Sequence, residues 1–83
     1  MANALHFERD QAAAVRHVRG YLRRGGRLLL VEYNIERGNR AVPHPVPYGA
    51  WERLAAGAGF EHTELLARRP SRTFGEIYSA VSW

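Results

Sequence analysis

The sequence predicts one α/β domain over residues 1–83, with two helices laid on one face of a short sheet and an antiparallel β-hairpin at its C-terminal end. Three observations carry this reading. Apolar residues recur at helical spacing in two separate segments. Between those segments the run Leu28-Leu29-Leu30-Val31 follows Gly25-Gly26 and is too short to be a helix of its own. Beyond the second helix, two stretches rich in strand-forming residues flank Arg68-Arg69-Pro70-Ser71-Arg72, which has turn-forming composition.

Composition bounds what such a chain can be. With 83 residues it buries roughly 60–65% of its unfolded surface, enough for one modest core and too little for a two-domain enzyme. Hydrophobic residues at 46% and charged residues at 24% exclude general disorder. The absence of cysteine excludes a disulfide framework, a thiolate zinc site and a cysteine nucleophile. The histidines at 6, 17, 44 and 62 lack close ligand spacing, so no metal site is expected. The longest apolar run is far too short to span a bilayer. Ala2-Asn3-Ala4-Leu5 passes at once into His6, Glu8, Arg9 and Asp10, unlike a signal peptide. We therefore expect a cytoplasmic chain without a membrane partner. The net charge is +4, and all twelve of the Lys+Arg cations behind it are arginines. They are scattered along the chain with no basic run or stacking motif, which argues against a nucleic-acid partner.

Each element has a local cause. Residues 1–7 are short and mostly apolar and are expected to end a strand. Asp10 can cap a helix over residues 11–24, whose face is Ala14, Val15, Val18, Tyr21 and Leu22, with Gly25-Gly26 as its stop. Residues 27–33 then read as a strand buried on both faces. Pro43, Pro45 and Pro47 stiffen the following loop, and Pro47 can begin a second helix over residues 48–58. That helix presents Trp51, Leu54, Ala55 and Ala58 on one face and ends at Gly59. Residues 60–67 and 73–81 complete the pattern as paired strands, the second carrying Ile77, Tyr78 and Val81.

Handedness then creates an imbalance. Crossovers between parallel strands are right-handed in about 98% of cases, so both helices fall on the same face when strands are added in one direction. The 28–31 run nevertheless has the composition of a strand covered twice. We expect the chain to be part of a larger domain or an associating protein.

Further residues resemble the C-terminal half of a class I S-adenosylmethionine-dependent methyltransferase. They are Ala2-Asn3-Ala4-Leu5-His6-Phe7 with Asp10, the element Leu22-Arg23-Arg24-Gly25-Gly26-Arg27-Leu28, and Glu32-Tyr33 closing the strand. Pro43-His44-Pro45, Ala58-Gly59-Phe60, Arg69-Pro70-Ser71-Arg72 and Glu76-Ile77-Tyr78-Ser79-Ala80 continue the resemblance in order along the whole chain. It implies a partial Rossmann-like sheet in which the last strand inserts antiparallel between its two predecessors, and in which Met1 falls inside the fourth strand of the complete fold. Such enzymes hold their cofactor largely through a glycine-rich loop and an acidic residue in the first half of the fold. Neither is found in this sequence, and Gly25-Gly26 stands in the wrong order to be that loop. The chain alone is therefore expected to bind S-adenosylmethionine weakly or not at all and to be inactive by itself, needing the missing N-terminal half or a second copy.

In open α/β sheets ligands bind beyond the carboxyl ends of the parallel strands. By resemblance, Asn3, Ala4, Leu5, His6 and Phe7 would line the methyl end of the cofactor. His6, the catalytic candidate, either contacts a small-molecule acceptor or fixes the strand end. Glu32 and Tyr33 either face the acceptor or form a solvated strand end. His44 either caps the acceptor pocket or is a surface loop residue, and Arg72 either recognises an acidic group or lies in a solvated turn. Two functions stay open: the acceptor-side half of a methyltransferase, and a non-catalytic α/β module that self-associates or pairs with a partner chain.

Overall fold

A computed structural model describes Met1, residues 4–73 and residues 75–83. It shows a small α/β fold with two helices and a three-stranded open sheet. Helix α1 spans Gln11–Arg19 and α2 spans Tyr48–Ala58; the strands are β1 (Leu28–Tyr33), β2 (Thr63–Pro70) and β3 (Glu76–Ser82). The sheet order is β1-β3-β2, and β3 runs antiparallel to both neighbours. Consequently β1 and β2 are parallel to each other, joined through α2, with the last strand inserted between them.

The register follows from alternation. Leu28, Leu30 and Glu32 of β1 are buried, while Leu29 is 57% exposed and Val31 and Tyr33 are half-buried. Leu28 opposes Ser82 and Glu32 opposes Tyr78, so the inward residues of β3 are Tyr78, Ala80 and Ser82. Both helices cover this inner face, with Val15 of α1 and Trp51 and Ala55 of α2 packed around Leu5, Leu30, Val46, Tyr78 and Ala80. Each large apolar side chain sealed there contributes about 1.5–3 kcal/mol. Among the described residues, Trp51 Nε1 is the one buried side-chain nitrogen or oxygen without a hydrogen-bond partner. The indole's packing outweighs the roughly 1–3 kcal/mol that such a donor costs.

Several boundaries differ from those expected. Leu5–Phe7 forms a 3₁₀ turn instead of a strand end, closed by Phe7 N–H to Ala4 O (3.2 Å) and Glu8 N–H to Leu5 O (3.0 Å). Met1 pairs with β1, its nitrogen donating to Leu29 O (2.7 Å) while its carbonyl accepts from Val31 N–H (2.8 Å). This is the hydrogen-bond pattern of a parallel neighbour. Helix α1 is capped by Asp10, whose side chain accepts from Ala13 N–H at 3.0 Å, as expected, but stops at Arg19 and not at residue 24. Gly20 weakens helix continuation, and the amides of Tyr21 and Leu22 turn to the carbonyls three residues back. Gly25 still takes a positive φ of 79° in the turn before β1.

Helix α2 has the predicted limits. Pro47 is its N-cap, one position before the first helical residue, and Gly59 closes it at φ 101°. The following strand begins at residue 63 and not at 60 because Phe60 completes the helix end: its amide donates to Ala55 O (3.0 Å) and its ring enters the core. The hairpin is likewise shifted. Arg68, Arg69 and Pro70 lie in β2, and the turn is closed by Ser71 N–H to Gly75 O (2.7 Å). Pro70 is tolerated because β2 is an edge strand. A bulge between Leu65 and Ala67 leaves Leu66 51% exposed.

The expectation that β1 is buried on both faces is not met within this chain. Its outer face, with Leu29, is left open because both helices lie on the opposite side. No helix among the described residues is long and apolar enough to cross a membrane.

Candidate functional site

The most unusual side chain of the inner face is Glu32, the last inward residue of β1, with no exposure to water. Burying an ionised carboxylate is expensive unless donors replace its hydration. Three do so. His6 Nδ1–H donates to Oε1 at 2.8 Å, the backbone N–H of His6 to Oε2 at 3.1 Å, and the backbone N–H of Tyr33 to Oε1 at 3.3 Å. The 3₁₀ turn makes the double contact possible, because it buries Leu5 in the core and turns both the amide and the ring of His6 toward the carboxylate.

The surrounding loop is tied to the same turn. His44 N–H donates to His6 O (3.0 Å), and Gln11 Nε2–H reaches His44 O (2.7 Å) and Leu5 O (3.4 Å). Asn34, directly after β1, joins the hairpin to α2. Its Nδ2–H donates to Glu76 Oε1 (2.8 Å) and its Oδ1 accepts from Tyr48 N–H (2.9 Å) at the helix start. The Tyr78 hydroxyl, buried across from Glu32, donates to the carbonyl of Val46. Burial pushes the Tyr78 phenol well above its ordinary pKa, with the nearby Glu32 charge and then Tyr48 adding to the shift.

The ring of His6 lies 4.2 Å from that of Phe7 and 5.9 Å from that of Tyr33, both tilted. His6 is 3% exposed and Phe7 63% exposed. With Nδ1–H committed to Glu32, a neutral imidazole carries its lone pair on Nε2. The pair can therefore act as a base and as an orienting clamp.

The structure brings His6 and Glu32 into direct contact and sets Tyr33 beside them. Glu32 belongs neither to a solvated strand end nor to an exposed acceptor wall. Leu5 is wholly in the core, Ala4 and Phe7 are exposed, and Asn3 lies outside the described residues. His44 is half-buried and anchored through its backbone. Arg72 is exposed in the hairpin turn, at the same end of the sheet as Tyr33 but away from the buried pair. Gln11 and the Tyr78 hydroxyl were not foreseen. Gln11 at a helix start, where the following residues are Ala12, Ala13 and Ala14, is the one sequence signal for the first.

No protein-family model matches the chain, and no curated protein matches it.

The Tyr78 shift predicts an alkaline instability. The folded state holds the phenol proton more tightly than the unfolded chain, whose tyrosines ionise near pH 10. Above that pH the unfolded state binds fewer protons, so unfolding free energy falls as pH rises. Urea denaturation between pH 8 and about 11 is expected to show this fall, and Tyr78→Phe to flatten it after correction for the other tyrosines.

Proposed function

We propose that this chain is the acceptor-side portion of a Rossmann-like S-adenosylmethionine-dependent methyltransferase, with His6 as the group that receives the acceptor's proton. The observation that carries the reading is the strand order: β3 lies antiparallel between β1 and β2, the insertion that the sequence resemblance implies. The parallel pairing of Met1 on the free edge of β1 lends support, since a fourth strand would run there. So does the position of His6 and Glu32 at the carboxyl end of β1, where ligands of open α/β sheets bind.

When bound, S-adenosylmethionine supplies an activated methyl group on a sulfonium. The residues of this chain suit its methyl end only in part. Ala4 is exposed at the rim, whereas Leu5 can offer no more than its backbone. In this reading Glu32 holds the His6 ring in one orientation, and Nε2 would receive the proton of an O–H or N–H acceptor. Residues 4–7 and 32–34 include neither a glycine-rich loop nor an exposed ribose-binding carboxylate, so this rim by itself is expected to hold the cofactor weakly.

The test is an amide NMR titration of the 83-residue chain with S-adenosylhomocysteine. Shifts confined to residues 4–7 and 32–34, with a dissociation constant weaker than about 1 mM, are expected. No perturbation at this rim, or one confined to another surface, would overturn the reading.

A second reading, a non-catalytic module that self-associates, is favoured by the open outer face. Leu29 is more than half exposed there, and Val31, Ala67 and Ile77 line a shallow apolar depression of about 170 Å³. Sedimentation equilibrium is expected to give a dimer that Leu29→Glu converts to monomer. A wild-type monomer throughout the concentration range would rule this reading out.

A further inference from the structure

We propose that the opposite end of the sheet carries an anion site for a small phosphate-bearing molecule, independent of the methyl-transfer reading. A cleft of about 300 Å³ opens beside the turn that precedes β1, lined by Arg19, Arg23 and Arg24 together with Leu22, Phe60 and Trp83. A fourth cation, Arg27, places its guanidinium 4.8 Å from the centre of the Trp83 ring. Among the described residues none of these four guanidiniums has a carboxylate within 4.0 Å.

The aromatic walls hold two of the arginines, Arg19 and Arg27. Arg19 lies over the Phe60 ring at 5.5 Å, and its guanidinium occupies the space that a side chain at Gly59 would fill. Trp83 stacks on His62 at 5.2 Å, and its backbone oxygen accepts from the amides of Glu61 and His62. At the floor, a Cβ on Gly26 would stand 2.8 Å from the carbonyl of Arg23, so the turn needs glycine there. Glu61 borders the adjoining part of the cleft and is the one acidic side chain beside it.

The chemistry selects the ligand. Guanidinium groups pair bidentately with the oxygens of phosphates as with those of carboxylates, and several of them together favour a multiply charged diphosphate over a monovalent anion. The volume is at the lower end of small-ligand sites. It is a concave pocket and not a track along which a nucleic-acid strand would lie.

The probe is pyrophosphate, added to the full 83-residue chain and followed by amide NMR and by tryptophan fluorescence. Since Trp51 is fully buried, the fluorescence response is expected from Trp83 and to vanish in Trp83→Phe. Saturable shifts confined to residues 19–27 and 59–62 are expected, weakened at least about tenfold in the Arg23→Gln/Arg24→Gln double variant. Both positions are exposed, so the variant's unperturbed spectrum elsewhere verifies its fold. Three results would overturn the proposal: no saturation by pyrophosphate, an equal response to sodium chloride at matched ionic strength, or undiminished binding by the double variant. A single-stranded oligonucleotide that binds while pyrophosphate does not, with shifts spread over Arg68, Arg69 and Arg72 as well, would likewise replace the cleft with general polyanion adsorption.

Discussion

Glu32 occupies a position on the inner face of β1 that its neighbours fill with leucine, and water does not reach it. An ionised carboxylate there costs several kcal/mol of lost hydration. The cost is offset only while the turn Leu5–Phe7 supplies both its His6 donors. That condition fixes the path of the chain before α1, because the turn must sit over the end of β1. It also fixes the loop before α2, since His6 O accepts from His44 and the His44 carbonyl accepts from Gln11. The two segments that flank the helices are thus hung on one carboxylate, and the chemistry proposed for the rim uses the same pair.

The sheet imposes a second constraint. Right-handed crossover puts α2 on the face already covered by α1, and inserting β3 between β1 and β2 adds a strand without adding a helix. The inner face becomes a closed core, while Leu29 and Leu66 remain in water. A sheet with one solvated face is ordinary when its outward residues are polar. Here the outer side of β1 carries Leu29, Val31 and Tyr33 and that of β3 carries Ile77 and Ser79, of which Leu29 is the most exposed.

The parts of the fold that were legible in the sequence are those governed by neighbours. Helix α2 could be read to the residue because Pro47 and Gly59 punctuate it and Trp51 and Ala55 share a face. Strand β1 could be read from its apolar run after two glycines. The end of α1 could not, since Tyr21 and Leu22 continue the apolar spacing after Gly20 has already loosened the helix. The start of β2 was hidden because Phe60 is spent on capping α2. His6 and Glu32 were each suspected separately as rim residues, but their contact spans 26 positions and depends on a 3₁₀ turn that no periodicity announces. The arginine cleft was invisible for the same reason: its members look scattered along the chain and converge only when the turn before β1 meets Phe60 and Trp83.

The most direct test is a double-mutant cycle on the buried pair, combining Glu32→Gln and His6→Ala and measuring urea denaturation of all four proteins. A domain of this size has on the order of 4–12 kcal/mol of stability, enough to register the losses. Glu32→Gln alone should cost about 2–4 kcal/mol, and the pair should show a coupling of about 1–3 kcal/mol, because removing either partner strands the other. Losses that add to within about 0.5 kcal/mol, with Glu32→Gln near neutral, would contradict the account.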